Sequence, residues 1–506
     1  MCALHKNFSF LILPLWITVA FPWFTEAGQV HTTITDLGAV RISLPETTRY
    51  ELGTAVSGVG DFNGDGFLDV AVGAPAYAPG GFGNEYDNGA VFIIFDHALA
   101  QERGEIDLSK NFDGVTVTGR FESRIGNALA RVGDINADGF ADLAFGSKTH
   151  SSGTILFGNK NPKRLIPLAD LGKDGVEILH TGLTVAAAGD FNGDGFADVI
   201  FGNPYSEVVN TDNKEYHIGR VTLIYGRYAF PASIDSLLPG DTHVTIRGPA
   251  GALVGNGLAG DLDLNSDGLS DIVIVAPKDG KDYEGRTFVV HGQKVLDKIE
   301  YSFIIDHARR FAYPAKDVNG DGLADLLIGG EDSSIWLLWG GKQLNGTIDL
   351  RKNMNSSWGV RIEGAPYAYG VGDINGDGFN DIAVAMPNAA VGDKVLAGRV
   401  LFLYGRPQWP DTIDVQRICK GEFTPMDYTL VDGIEPFGLF GFSVAGVGDI
   451  QGDGFEDVII GAPTERLPEG TAKERPGSAY VIQGKSLDFT LHTYRSNFTQ
   501  GETRRQ

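Results

Sequence analysis

The sequence predicts an all-β protein, a seven-bladed β-propeller whose ring is closed by an N-terminal strand, and three observations carry that prediction. A nine-residue phrase, in its clearest copy Asp61-Phe62-Asn63-Gly64-Asp65-Gly66-Phe67-Leu68-Asp69, occurs seven times, beginning at Asp61, Asp134, Asp190, Asp263, Asp317, Asp373 and Asp449. Each copy runs into a short apolar stretch, such as Val70-Ala71-Val72-Gly73-Ala74-Pro75 or Val458-Ile459-Ile460-Gly461-Ala462-Pro463, that reads as a buried strand. The copies start 73, 56, 73, 54, 56 and 76 residues apart. That spacing, ~60 residues with insertions, suits a four-stranded propeller blade rather than a helical solenoid unit.

Taken in order, the chain opens with Lys6, an apolar run from Phe8 to Phe24 and the small-residue ending Thr25-Glu26-Ala27, the pattern of a secretory signal peptide over 1–27. Each repeat then reads alike. A strand of small residues comes first, as in Gly53-Thr54-Ala55-Val56-Ser57-Gly58-Val59-Gly60, and suits the crowded centre of a radial array. The nine-residue phrase and its apolar strand follow. A polar connection leads to a third strand such as Arg220-Val221-Thr222-Leu223-Ile224-Tyr225, and then to a fourth such as Val176-Glu177-Ile178-Leu179. The segment Ala39-Val40-Arg41-Ile42-Ser43-Leu44 resembles a fourth strand but precedes the first phrase, whereas the last repeat ends soon after its third strand, Ala479-Tyr480-Val481-Ile482. Circular closure repairs both ends at once: the N-terminal strand completes blade seven and removes an open sheet edge. One cooperative ring is expected over 28–495, with a polar tail at 496–506.

The phrase has the ligand pattern of a hard, oxygen-seeking cation. Positions 1, 3, 5 and 9 carry side-chain oxygens, and the glycine at position 6 allows a sharp turn that leaves the carbonyl of position 7 facing inward. The candidate sets are Asp61, Asn63, Asp65, Phe67 and Asp69; Asp134, Asn136, Asp138, Phe140 and Asp142; Asp190, Asn192, Asp194, Phe196 and Asp198; Asp263, Asn265, Asp267, Leu269 and Asp271; Asp317, Asn319, Asp321, Leu323 and Asp325; Asp373, Asn375, Asp377, Phe379 and Asp381; and Asp449, Gln451, Asp453, Phe455 and Asp457. Calcium, up to seven ions, is the expected occupant, because no His or Cys is offered to a softer metal and magnesium prefers a tighter octahedron. An EF-hand would need Glu at position 12, where Val72, Phe145, Phe201, Ile274, Ile328, Val384 and Ile460 stand instead. Turn chemistry alone asks only for the Asn-Gly or Asp-Gly centre, yet Asp holds positions 1, 5 and 9 in all seven copies. The copy at Asp449, with the longer Gln451, and the copy at Asp317, with an irregular upstream flank, are expected to be the weakest.

Composition bounds the partners. Cys2 falls in the signal segment, so Cys419 is the single cysteine of the expected mature chain and internal disulfides are excluded there. The net charge of −24 disfavours nucleic acid and anionic lipid. Three Asp in each of seven loops account for 21 of the 65 acidic residues, and seven divalent ions would bring the loaded protein to about −10. Asn345-Gly346-Thr347, Asn355-Ser356-Ser357 and Asn497-Phe498-Thr499 are candidate glycosylation acceptors, consistent with a secreted, extracellular protein. No stretch after the signal segment qualifies as a membrane span. The connections after the second strands are long at 76–89, 205–219, 388–398 and 464–477 but short at 147–153 and 330–333, and unequal loops on one face are where binding is expected. Tyr77, Phe82, Tyr86, Tyr205, Tyr216, Tyr283 and Arg466 are the candidate contacts in such loops.

Leu439-Phe440-Gly441-Phe442-Ser443-Val444-Ala445, ahead of Gly448-Asp449-Ile450-Gln451-Gly452-Asp453-Gly454 and Gly461-Ala462-Pro463, resembles the FG-GAP repeat of integrin alpha subunits. The likeness covers nearly the whole expected mature chain. It implies a seven-bladed propeller with calcium loops on its lower face and partner-binding loops on its upper face. The repeats at Asp317 and Asp373 depart from it, with Gly329-Gly330-Glu331 and Ala385-Met386-Pro387 in place of Gly-Ala-Pro. Integrin alpha chains normally carry calcium loops in only some blades, whereas all seven carry one here. No leg domains or cytoplasmic tail are legible after the ring, so a complete integrin subunit is not expected. The repeat also looks like the C-terminal part of glycosylphosphatidylinositol-specific phospholipase D, whose catalytic domain would precede the propeller. The expected function is calcium-dependent binding of an extracellular protein, matrix or glycan, of the cell-adhesion type. A carbohydrate-binding propeller is the first alternative. A hydrolase or lyase such as a phospholipase D-related propeller is the second, disfavoured by scattered histidines and by the lack of HExxH and nucleophile-elbow motifs. Trp336, Trp339, Trp358 and Trp409 cluster in repeats five and six, and the first two fall in a third strand and are expected in the core.

Overall fold

The computed structural model describes residues 29–487, apart from 46–49, 79–86, 97–98, 100–103, 150, 207, 212–213, 281–282, 295–300, 331–333, 342, 353–356, 423–426, 466–475 and 485–486. The signal and tail readings lie outside these residues. So do the candidate contacts Phe82, Tyr86 and Arg466, the side chain of Tyr216, and two of the three glycosylation acceptors; the third, Asn345, is exposed.

Seven sheets form the blades, each a four-stranded antiparallel meander. The inner strands are Val56–Gly60, Ile125–Gly133, Thr184–Gly189, Gly257–Leu262, Ala308–Lys316, Tyr367–Gly372 and Ser443–Gly448. Each packs against the inner strands of both neighbouring blades, and the last packs against the first, which closes the ring. The second strands are buried throughout, for example Asp69–Ala74 and Asp457–Ala462, because both faces are covered by adjacent blades. In every blade this strand begins at position 9 of the phrase, as the sequence predicts.

Closure goes further than one strand. Val40–Ser43 pairs antiparallel with Ser478–Ile482 as the fourth strand of blade seven. Just before it, Gln29–Thr33 runs parallel to Tyr428–Asp432 on the outer edge of blade six. The N-terminal segment therefore staples two blades. It also brings Arg41, buried at 8% exposure, against Ser478, to whose Oγ its Nε and Nη2 donate at 3.1 and 2.9 Å.

The parallel edge strand is a general feature that the four-strand reading misses. Glu105–Asp107, Leu165–Pro167, Ser233–Asp235, Gly346–Asp349 and Thr412–Asp414 each leave their own blade's third strand and add, in parallel, to the fourth strand of the preceding blade. Their middle isoleucines, Ile106, Ile166, Ile234, Ile348 and Ile413, are buried. An Ile-Asp pair repeating between third and fourth strands, as in Ile106-Asp107 and Ile413-Asp414, is the signal that marks them. Among the described residues blade three has four strands only.

The family-naming glycines meet at blade interfaces. A Cβ on Gly73 would come 2.0 Å from the carbonyl oxygen of Gly126 in the next blade, and one on Gly461 would come 2.0 Å from that of Gly53. Backbone therefore touches backbone where the Gly-Ala-Pro strand end passes the Leu52-Gly53 or Ile125-Gly126 turn of the next blade, leaving no room for a side chain. Blade five replaces this arrangement: Gly329 lies under Arg310 and Phe311 of its own blade. The small-residue expectation for inner strands fails in the same region. Phe311, Tyr313, Tyr367 and Tyr369 stand on the inner strands of blades five and six, and the Tyr313 and Tyr369 rings lie 4.7 Å apart. They line one side of an axial cavity of about 500 Å³ to which all seven inner-strand regions contribute. Aromatic bulk fits there because the axis is left open rather than packed by converging backbone. Trp336 is core, at 7% exposure, and Trp339 packs partly buried beside Trp409, their rings 6.3 Å apart.

Candidate metal loops and the opposite face

Each nine-residue phrase joins the inner strand to the second strand, so all seven lie on one face of the ring. Within a loop the carboxylate of position 1 is the hub. Its Oδ1 accepts from the backbone N–H of position 5 and its Oδ2 from that of position 6, at 3.0 and 2.9 Å for Asp61, and the same pair recurs in all seven loops. Position 5 accepts from the N–H of position 7. These bonds hold the carboxylates of positions 1 and 5 on the inside of the turn; in four loops the position 1 Oδ1 also accepts from the N–H of position 4. Position 4 is left-handed throughout, at φ +73° for Gly64, and Ala137 and Ser266 take the same conformation at +56° and +58°.

Position 9 is the least exposed member of every set. Asp69, Asp142, Asp198, Asp271, Asp325, Asp381 and Asp457 all have 0% exposure. Each accepts two backbone N–H bonds. One comes from position 2 of its own loop, as Phe62 N to Asp69 Oδ2 at 2.9 Å. The other comes from the residue just past the third strand: Asp96, Gly158, Gly226, Gly292, Gly340, Gly405 and Gly484, at 2.7 to 3.2 Å. Sequence reasoning missed these seven donors. Six are glycines that close the third strand, and that recurrence was the available signal.

Burial pushes the carboxyl groups of Asp69, Asp142 and Asp325 up to about 8 and those of Asp198 and Asp457 to about 7, with Asp381 also raised. The neighbouring loop carboxylates add to the shift, and the backbone N–H bonds oppose it. Blade four differs, because His291 Nδ1 lies 3.1 Å from Asp271 Oδ2 and the contact raises the imidazole above its ordinary value. The loop at Asp449 differs too. The other six join Asn Nδ2 at position 3 to the position 5 carboxylate, as Asn63 to Asp65 at 2.8 Å, whereas Gln451 Oε1 is buried without a partner. The loop at Asp317 keeps the full hydrogen-bond set despite its irregular flank.

Among the described residues no group of three or more His, Cys, Asp or Glu side chains is drawn together tightly enough to hold an ion. The donor chemistry nonetheless fits a divalent cation. Each loop offers three carboxylates, an amide oxygen and a backbone carbonyl, and among the described residues the fully buried carboxylate has no basic partner in six of the seven loops.

Neighbouring loops touch. The Phe140 ring covers Gly64 of the preceding loop, Phe379 covers Gly320, Phe455 covers Gly376, and Leu269 covers Gly193. Backbone bonds run alongside, as Ala141 N to Asp61 O at 2.9 Å and Glu456 N to Asp373 O at 2.9 Å. On the opposite face Tyr205 and Tyr283 are exposed, at 53% and 54%, and available for contact. Tyr77 instead packs inward against Tyr50 and Phe92. Cys419 ends a short helix, Val415–Cys419, half-buried beside Met386. No helix among the described residues is long and apolar enough to cross a membrane.

Comparison with known proteins agrees with the geometry. The FG-GAP repeat family matches residues 52–94, 181–223 and 440–482, and the FG-GAP-like repeat family matches 317–384. Integrin alpha-PS5 of Drosophila melanogaster is 33% identical over 158 residues, 29% of this chain and 14% of that protein. Phosphatidylinositol-glycan-specific phospholipase D of Homo sapiens is 24% identical over 521 residues, 95% of this chain and 51% of that protein. The Bos taurus phospholipase is 32% identical over 179 residues, 33% of this chain and 20% of that protein. The chain thus spans about half or less of the length of these relatives. Seven antiparallel blades, matched repeats and this pattern of similarity define an FG-GAP repeat protein that resembles the β-propeller of integrin alpha subunits.

Proposed function

We propose that the protein is a secreted, calcium-stabilised propeller that binds an extracellular protein, matrix component or glycan through the loops opposite its metal loops, in adhesion or matrix attachment. The observation that carries this reading is the sevenfold recurrence of a fully buried position 9 carboxylate beside two more carboxylates on a surface turn. A buried carboxylate left without a counter-charge is costly, and a hard dication held by all five oxygens offsets that cost. The residues that would hold it are those of the seven phrases, Asp61 to Asp69 and their counterparts. The ion would supply rigidity and charge neutralisation, not chemistry on a substrate. With the loops of one face committed to metal, the opposite face is left to recognise partners, and there the unequal connections present exposed rings at Tyr205 and Tyr283.

A hydrolase reading draws on the similarity to the human phospholipase along 95% of this chain. That alignment reaches only 51% of the enzyme. The two readings separate in one experiment. The calcium-loaded chain is immobilised and offered cells, matrix proteins and a glycan array, and a glycosylphosphatidylinositol-anchored reporter is assayed in parallel for release. Attachment that chelator abolishes supports the binding reading. Release of the reporter without attachment to any surface overturns it.

A further inference from the structure

On the face opposite the metal loops, a cavity of about 580 Å³ opens where blades three, four and five meet. Its walls come from His217, from Gly251 and Leu253, from the connection after the second strand of blade four, and from the start of the inner strand of blade five. Its charge runs against the rest of the molecule. The chain carries 65 acidic and 41 basic residues, yet among the described residues the cavity is lined by Lys278, Arg309, Arg310 and His217 and by no carboxylate. Two acids next to them in sequence are engaged elsewhere: Asp279 faces Arg286 at 3.6 Å, and Glu284 faces Arg351 at 3.8 Å and His307 at 3.9 Å.

The cationic side is preorganised. Arg310 donates from Nη2 to the Pro366 carbonyl at 2.5 Å, and its guanidinium lies 5.9 and 5.8 Å from the Phe311 and Tyr367 rings. Its Nη1 is buried and has no hydrogen-bond partner among the described residues. His217 is held by its Nδ1, which donates to the Tyr205 carbonyl at 3.0 Å. The other wall is apolar, formed by Leu253, Pro277 and the ring of Tyr283, which is 54% exposed.

We infer that this cavity binds the acidic residue of a glycan, a sugar ring carrying carboxylate or sulfate. An oxyanion suits the fixed guanidinium of Arg310 and the ammonium of Lys278. The C–H face of a pyranose suits the exposed Tyr283 ring and the aliphatic wall, and the volume lies within the ~300–1,000 Å³ usual for small-ligand sites. An acidic side chain of a protein partner would use the cations and leave the apolar wall empty, which favours the saccharide. The inference deepens the proposed binding role and rests on it, since it names what one of the partner-facing loop clusters recognises.

Isothermal titration of the full calcium-loaded chain tests it, with a hyaluronan-derived tetrasaccharide as the carboxylate probe, a heparin-derived tetrasaccharide as the sulfate probe, chitotetraose as the neutral one and a tetraglutamate peptide. Binding of either acidic saccharide, weakened by salt and about tenfold weaker in both Lys278→Ala and Tyr283→Ser, is the expected result. Both replaced side chains are exposed, so folding is unaffected, and Arg310→Lys, which keeps the charge and loses the fork, should weaken the carboxylate probe selectively. Equal affinity for chitotetraose or for tetraglutamate overturns the inference, as does binding that the variants leave unchanged or no binding of either acidic saccharide. Should cell or matrix attachment persist in the Lys278→Ala variant while acidic saccharides do not bind, the general binding role stands and this assignment falls.

Discussion

At the scale of single residues, position 4 of the candidate metal loop shows how one backbone requirement has opposite consequences in different repeats. The loop needs a left-handed residue there, which Gly supplies freely and Ala137 adopts at φ +56°. Ala137→Gly should therefore raise stability by about 0.5–1 kcal/mol, the left-handed strain released less the extra freedom of the unfolded chain. Gly64→Ala should do the reverse, and more strongly, because the Phe140 ring sits 2.3 Å from where the new Cβ would go. Urea unfolding of both variants in saturating calcium checks the pair, and equal signs would refute it. Glu465 offers a pH test away from the loops. It is 3% exposed, accepts from Tyr480 Oη at 2.6 Å, and burial raises its carboxyl to about 7 despite the opposing charge of Arg41. A raised folded value means the folded state holds the proton more tightly than the unfolded chain. The favourable contribution is thus fully present below about 4.5 and is lost as pH rises towards 7. The stability difference between Glu465→Gln and the parent should grow by up to ~3 kcal/mol in the variant's favour between pH 4.5 and 7.5, read by thermal unfolding across pH. A difference that does not change with pH would count against it.

At the scale of elements, the N-terminal segment does more than supply a missing strand. Gln29–Thr33 edges blade six and Val40–Ser43 completes blade seven, so both outer edges depend on residues far away in the chain. Val40 and Ile42 are buried at 8% and 0% exposure, and their burial alone is worth about 3–6 kcal/mol. A chain beginning at residue 44 should lose at least that much, and a synthetic peptide of residues 29–45 should restore it in a concentration-dependent way. Denaturant unfolding with and without peptide decides the matter, and a truncated chain as stable as the parent would refute closure. The parallel edge strands belong to the same scale. A stretch of three or four residues such as Glu105–Asp107 has too little periodicity to read as a strand, and its partner lies in another repeat.

At the scale of the whole molecule, charge and ring act together. A protein at −24, with 21 of its 65 acids packed into seven turns on one face, repels itself unless cations are bound. Adjacent loops share contacts such as Phe140 on Gly64, so relief at one turn bears on the next. Chelation should lower the melting temperature markedly, since each site saturated at 100 times its dissociation constant contributes about 2.7 kcal/mol. Calorimetry over a calcium titration measures this, and a melting temperature indifferent to calcium would sink the reading of the loops as cages.

The sequence by itself determined the seven repeats, the buried strand that follows every phrase, the recurrent side-chain oxygens of each turn and the N-terminal completion of blade seven. Each rests on local patterns: a turn that needs a left-handed residue, a short apolar run, a fixed spacing of carboxylates. The tertiary structure decided what depends on residues meeting across blades. It turned Tyr77 into the core and Tyr283 outward, set Gly73 against Gly126, gave the position 9 carboxylates a second donor past the third strand, and gathered Lys278, Arg309 and Arg310 with His217 around one cavity. No local pattern encodes those meetings, because register between blades is fixed only when the ring closes and every sheet edge has found its neighbour.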